Sequence, residues 1–181
     1  MSAERLKEYL DAAGVIGCNA SRSLCSLEDI GCTWSDAMRL IDRHQIFYAK
    51  AIRGRSVYFS PEAFYLLRAA RRAPALDEAA QTLLSLIGGM PPAERSELAR
   101  FAAMPKKRFD AAFARLLQSM QITALFSGRR INERWSTLIY GTTEAWAALN
   151  GEAFAADDPR AALRRLLGPS LSEAALEALL G

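Results

Sequence analysis

Two runs of β-branched and aromatic residues, each folded back around a basic glycine turn, constrain this chain more than any other feature. In the first, Ile46-Phe47-Tyr48-Ala49-Lys50-Ala51-Ile52 leads into Arg53-Gly54-Arg55 and returns as Ser56-Val57-Tyr58-Phe59. In the second, Ile122-Thr123-Ala124-Leu125-Phe126 leads into Ser127-Gly128-Arg129-Arg130 and returns as Trp135-Ser136-Thr137-Leu138-Ile139-Tyr140. Such runs around a glycine turn predict β-hairpins. Both hairpins then carry arginines at the tip.

Everything around them is helical in pattern, as 33 alanines in 181 residues would suggest. Leu6, Tyr9, Leu10 and Ala13 share one face of a helix over residues 3–13, and Gly14 stops it. Residues 14–33 are scattered Gly, Cys and Ser, with Ser26 and Asp29 allowing a short capped turn over 27–30. Ser35 is expected to cap a helix through Asp42. After the first hairpin, Ser60 with Pro61 opens a helix to about Arg72. Residues 73–76 form a junction. Asp77 then caps a helix to Ile87, closed by Gly88-Gly89. A second helix starts at Pro91-Pro92 and runs to about Ala103, and a third runs from Pro105 to about Met120. In the third, Phe109, Ala112, Phe113, Leu116 and Leu117 form one apolar stripe. Thr142 or Thr143 caps a helix after the second hairpin. Two closing helices are expected, 158–167 and 170–180, the latter capped by Ser170 with Glu173.

The same order therefore occurs twice: helices, a hairpin with a basic tip, then a capped helix. Three helices and a two-stranded hairpin make a winged helix-turn-helix. The expected fold class is α+β, mainly α with two β-hairpins, as a tandem winged helix-turn-helix with C-terminal helices. The divisions are a divergent winged-helix-like domain at 1–72, a winged-helix domain at 77–149, and a helical extension at 150–181.

The charge pattern suggests what such a fold would meet. Residues 1–134 hold 20 Lys/Arg against 14 Asp/Glu, whereas residues 135–181 hold 3 against 6. A basic body with an acidic tail is compatible with nucleic acid. Lys106, Lys107 and Arg108 open the third helix of the second unit, and Arg115 lies further along it. Basic residues oppose the dipole at a helix N-terminus, so three together there hint at a ligand. Arg129 and Arg130 sit where a wing would touch phosphate, with Arg53 and Arg55 as their counterparts in the first unit. The plainer reading is that helix starts and hairpin tips are exposed and charged in any case. A second functional reading is a protein-interaction module, with a homodimer formed through the Leu- and Ala-rich C-terminal helices.

Other chemistry has less support. Cys18, Cys25, Cys32 and His44 raise a Cys3His zinc site, but they lack the close cysteine pair of zinc modules, and small half-buried thiols are the alternative. His44 is the only histidine and reads as a capping or surface residue. There is no G-x-S-x-G, H-E-x-x-H or Walker A motif. No cofactor is expected. Trp34, Trp135 and Trp146 read as core or interdomain packing, with base stacking as the alternative. No apolar run of 18 residues occurs, so no membrane contact is expected. The N-terminus is charged and has no apolar signal region, so the expected setting is cytoplasmic.

The run Lys106-Lys107-Arg108-Phe109-Asp110 through Leu116-Leu117, then Ile122-Thr123 and Trp135-Ser136-Thr137-Leu138-Ile139-Tyr140-Gly141-Thr142-Thr143-Glu144-Ala145-Trp146, resembles the AlkZ-related winged-helix proteins. The first hairpin is similar to the same group, and together the resemblance spans roughly residues 34–148. It implies a tandem winged-helix fold that binds double-stranded DNA. The glycosylases of that wider family excise alkylated bases with a Gln-x-Gln or Gln-x-Asp motif. Here the nearest pair is Gln118 and Gln121, spaced Gln-x-x-Gln. No catalytic residue is carried over, and the expected function is non-catalytic DNA binding, as a regulator or repair accessory. Base excision by an unfamiliar pair is the one enzymatic alternative.

Overall fold

The computed structural model describes residues 2–72, 74–132 and 135–181. Its elements run α1 (Ser2–Ala13), β1 (Val15–Gly17), a 3-10 turn (Glu28–Ile30), α2 (Trp34–Asp42), β2 (Phe47–Ile52), β3 (Arg55–Phe59), α3 (Pro61–Ala70), α4 (Glu78–Gly88), β4 (Ala93–Glu94), α5 (Arg95–Ala102), α6 (Lys106–Gln118), β5 (Ile122–Arg130), β6 (Ser136–Thr142), α7 (Thr143–Asn150), α8 (Pro159–Leu167) and α9 (Glu173–Leu180). The chain is thus α+β, with two small antiparallel three-stranded sheets. Of the junction expected at 73–76, Ala73 lies outside the described residues.

The helix starts follow from short polar side chains answering unpaired backbone N–H groups. Ser60, Asp77, Thr142 and Asp158 each accept from the backbone N–H three residues on. Three starts differ from the sequence expectation. Thr33, not Ser35, precedes α2, because the Asp36 carboxylate accepts from both the backbone N–H and the hydroxyl of Thr33. Ser172, not Ser170, caps α9; the Ser170 hydroxyl instead donates to the Ala13 carbonyl at the end of α1. The helix expected from Pro91-Pro92 begins only at Arg95. Its predicted first residues are extended, with Ala93 and Glu94 facing Tyr140 and Ile139 of β6.

Each sheet is a hairpin widened by a short strand from earlier in the chain, giving the orders β1-β3-β2 and β4-β6-β5. The first hairpin closes through Arg53 and Gly54, with φ of 51° and 71°. Two left-handed residues give the mirror-image turn whose twist matches that of the strands. The second hairpin is longer than expected. Ser127-Gly128-Arg129-Arg130, expected as its turn, belongs to β5, and Gly128 has another purpose. A Cβ there would lie 2.3 Å from the Thr137 hydroxyl on the facing strand. This glycine permits a close cross-strand approach.

Strand alternation sends Tyr48 and Tyr58 into one apolar cluster and Phe47, Val57 and Phe59 into another. The first sheet is therefore buried on both faces. One cluster joins α1 and α2 to α4, α5 and α6. The other joins α3 to Trp146 and to Leu163, Leu167, Leu176 and Leu180 of the closing helices. The leucines of α8 and α9 thus pack within the chain. Trp146 is fully buried, with its ring 5.1 Å from Phe47 and 4.8 Å from Phe64, and its indole N–H donates to the Ile46 carbonyl.

The two sheets meet along β2 and β5 without a backbone ladder between them. In its place stands one side chain. The buried Thr123 hydroxyl donates to the Tyr48 carbonyl at 2.7 Å and accepts from the Tyr48 N–H at 3.1 Å. Thr123→Val would strand both Tyr48 groups away from water and is expected to cost roughly 2–4 kcal/mol. Thr123→Ser, which keeps the hydroxyl, should cost about 1 kcal/mol for the missing methyl group. Urea unfolding of the two variants beside the parent measures the difference.

Candidate nucleic-acid interface

The eight basic residues singled out in the sequence are all exposed or half-buried, and they fall into separate groups. Lys106, Lys107 and Arg108 occupy the first turn of α6. Lys106 pairs with Asp110 at 2.7 Å, and Arg108 approaches Glu78 at 3.5 Å. Lys107 has no ion-pair partner among the described residues. The Asp110 carboxyl is held below its ordinary value, first by its hydrogen bond from Lys106 and then by the charges of Lys106 and Arg95. Sequence reasoning misses Arg95, although it stands at the first position of α5. Its guanidinium reaches Asp110 and lies over the rings of Phe109 and Phe113, at 5.5 and 5.3 Å.

Arg95 also connects this turn to the second hairpin. It lines a cleft of about 590 Å³ together with Arg129, Glu94, Trp34, Ile131 and Trp135. Trp34 and Trp135 pack at 4.9 Å between ring centres, and the Trp34 indole donates to Ser136. Trp135, expected in core or interdomain packing, packs on Trp34 from the first half and remains 44% exposed. Ile131 beside it is 63% exposed. Arg130 follows Arg129 at the outer end of β5, with its Nε donating to the Asn132 carbonyl. The Glu94 carboxylate accepts from the Thr137 hydroxyl at 2.6 Å and from the Arg129 N–H at 3.3 Å, which holds its pKa below the ordinary value.

The other three candidates lie elsewhere. Arg53, from the first hairpin tip, and Arg115, from the far end of α6, line one cavity of about 440 Å³ with Lys50, Arg71 and Arg72. Arg55 faces a neighbouring cavity of about 540 Å³, lined also by Asn19, Ser21 and Ser23. The sequence groups Arg115 with the α6 start and sets Arg53 on a separate wing. The fold unites them because the first hairpin tip meets the C-terminal end of α6. The adjacent Arg71-Arg72 pair is the sequence signal that could have pointed to this cavity. Of the glutamine pair, Gln118 lines the same cavity.

The zinc possibility is not supported. Among the described residues no group of three or more His, Cys, Asp or Glu is placed to hold a metal. Cys18, Cys25 and Cys32 are free thiols: Cys18 accepts from the Tyr58 hydroxyl, and Cys32 donates to the Ser2 carbonyl. His44 packs edge-on to Phe126.

His44 is buried, not on the surface, and its Nε2 has no hydrogen-bond partner among the described residues. Burial depresses its pKa below the ordinary 6.5, against smaller opposing effects of the Leu125 backbone and Asp42. The unfolded chain therefore takes up this proton at a higher pH than the folded one. The stability tied to neutral His44 is complete above pH 6.5 and falls as the pH drops below it. His44→Asn suits the φ of 55° at this position. It is expected to flatten the loss of denaturation midpoint between about pH 7.5 and 5.5.

Comparison with curated proteins of known function gave no match. Among the described residues, no helix is long and apolar enough to cross a membrane. A family profile described as AlkZ related matches residues 25–176, which extends the resemblance seen in the sequence from the segment before the 3-10 turn into α9. With that match covering most of its length, the chain belongs to the AlkZ-related family.

Proposed function

We propose that the chain is a tandem winged-helix protein that binds double-stranded DNA, with the second unit providing the contact face. Two features support the winged-helix reading. In both halves a short strand precedes the hairpin and pairs with its returning strand, so both sheets have the same order. In both halves a helix stands directly before the hairpin, α2 in one and α6 in the other. On this reading the first turn of α6 enters the major groove, and the second hairpin is the wing.

One observation carries the proposal. Arg95 joins the Lys106, Lys107 and Arg108 turn to a hairpin that presents Arg129, Arg130, Ile131 and Trp135 outward. Cations next to exposed flat and apolar side chains suit a surface that meets phosphate and sugar together. The role is binding without catalysis, as a regulator or repair accessory in the cytoplasm.

The test is fluorescence anisotropy of a labelled duplex at several salt concentrations. The parent should bind with an affinity that falls steeply with salt. Lys107→Ala, Arg108→Ala and Arg129→Ala together should lower the slope of log K against log salt by about 2–3, close to one for each phosphate no longer neutralised. Because these side chains are exposed, the triple variant should unfold within about 0.5 kcal/mol of the parent. An unchanged slope would reject this face.

A second reading, base excision, has one feature in its favour. The Glu94 carboxylate, whose pKa is lowered first by the Thr137 hydrogen bond, lines the cleft with Trp34, Tyr48, Trp135 and Tyr140. A carboxylate there could take a proton from water beside a stacked base, although the two hydrogen bonds it already accepts weaken it as a base. Release of alkylated bases that is abolished by Glu94→Gln would support this reading. No release from DNA that the protein still binds would dismiss it.

A further inference from the structure

The cavity between the first hairpin tip and the end of α6 has an unusual electrostatic character. Lys50, Arg53, Arg71, Arg72 and Arg115 line it together with Gly181 at the end of the sequence, and among the described residues no Asp or Glu side chain does. None of these five cations makes an ion pair among the described residues. Cations gathered in a concave site repel one another unless an anion joins them.

Two of the guanidinium groups are fixed in place by the backbone. Arg71 donates through one terminal nitrogen to the Gln118 carbonyl at 3.1 Å, so it caps the C-terminal end of α6. Arg115 donates to the Ala75 carbonyl at 2.9 Å. The other terminal nitrogen of Arg71 is buried and has no hydrogen-bond partner among the described residues. Burial, and then the neighbouring charge of Arg115, depress the Arg71 pKa. A buried donor left unpaired costs stability in proportion to its lost hydration, most of all on a charged group. An oxyanion in the cavity supplies counter-charge for five cations that meet no side-chain carboxylate there.

We propose that the cavity lined by Lys50, Arg53, Arg71, Arg72 and Arg115 is a phosphate-binding site. Arginine forks match the paired oxygens of a phosphate group, and Lys50 adds a point charge. The site is separate from the α6 face assigned to DNA. Arg115 lies eight residues beyond Lys107 on α6, about 12 Å along the helix. The phosphate could belong to a free phosphorylated molecule or to a nucleic-acid strand that runs past the α6 face.

Inorganic phosphate is the probe, with sodium chloride at matched ionic strength as the reference. Thermal unfolding of the full chain should shift upward with phosphate and saturate, whereas chloride should give no saturable shift. The double variant Lys50→Gln with Arg53→Asn removes two of the five charges. Asparagine accepts the left-handed turn position of Arg53, so the hairpin is kept. This variant should unfold normally without phosphate and lose about tenfold or more in phosphate affinity. The triple variant of the DNA face should keep the phosphate response. No saturable shift in the parent, or an equal shift in the double variant, would overturn the site.

Duplex binding identifies the source. If the double variant also weakens duplex binding and phosphate competes with duplex, the ligand is a nucleic-acid phosphate. If duplex binding is unchanged while the phosphate shift persists in the parent, the ligand is a free phosphorylated molecule. DNA binding through the α6 face is read independently, so either proposal can fail without the other.

Discussion

The molecule depends on how two sheet edges are joined without forming one sheet. A continuous ladder between β2 and β5 would satisfy both backbones but would force the two sheets to continue as one. The Thr123 hydroxyl satisfies the Tyr48 N–H and carbonyl instead, and the sheets can keep their own orientations. Further donors from the second half reach the segment leading into β2. The Trp146 indole donates to the Ile46 carbonyl, and the Asn150 amide to that of His44. From the other side, Asp42 at the end of α2 accepts from both the N–H and the hydroxyl of Ser127 in β5. Each half completes the hydrogen bonding of the other, and both apolar clusters mix residues from the two halves.

Local chemistry makes most of the elements legible in the sequence. Pro61 after Ser60, Asp77, and Pro159 after Asp158 mark helix starts through caps that act within three residues. The hairpins are legible because β-branched and aromatic runs flank a turn residue. The short strands are not, since Val15–Gly17 and Ala93–Glu94 are too brief to show a period. Only their partners β3 and β6 make them strands. Gly128 looks like a turn because a glycine between a strand and two arginines signals one. Its actual reason, the nearness of Thr137, belongs to the facing strand and cannot be seen locally.

The candidate site is legible residue by residue, but its grouping is not. Charge at a helix start or a hairpin tip is visible in one dimension, and none of the eight chosen residues is buried. Which of them share a cavity depends on contacts across tens of residues. Arg53 and Arg115 are brought together by the docking of the two halves. Arg95 is hidden by its ordinary position at a helix start, yet Asp110, Phe109 and Phe113 make it the hinge-pin of the α6 face. Trp135 is legible as a packing residue, but only the fold reveals that its partner is Trp34 from the first half and that much of it stays exposed.

The close approach at Gly128 has a mechanical consequence. With no side chain there, Thr137 leans across the hairpin to the Glu94 carboxylate, which also holds the Arg129 N–H. The two strands are thereby tied at their waist to β4, and through it to the start of α5. The hairpin behaves as a short lever with a clamped base, so a force on its tip is carried to α5 and the body of the protein before the strands can splay.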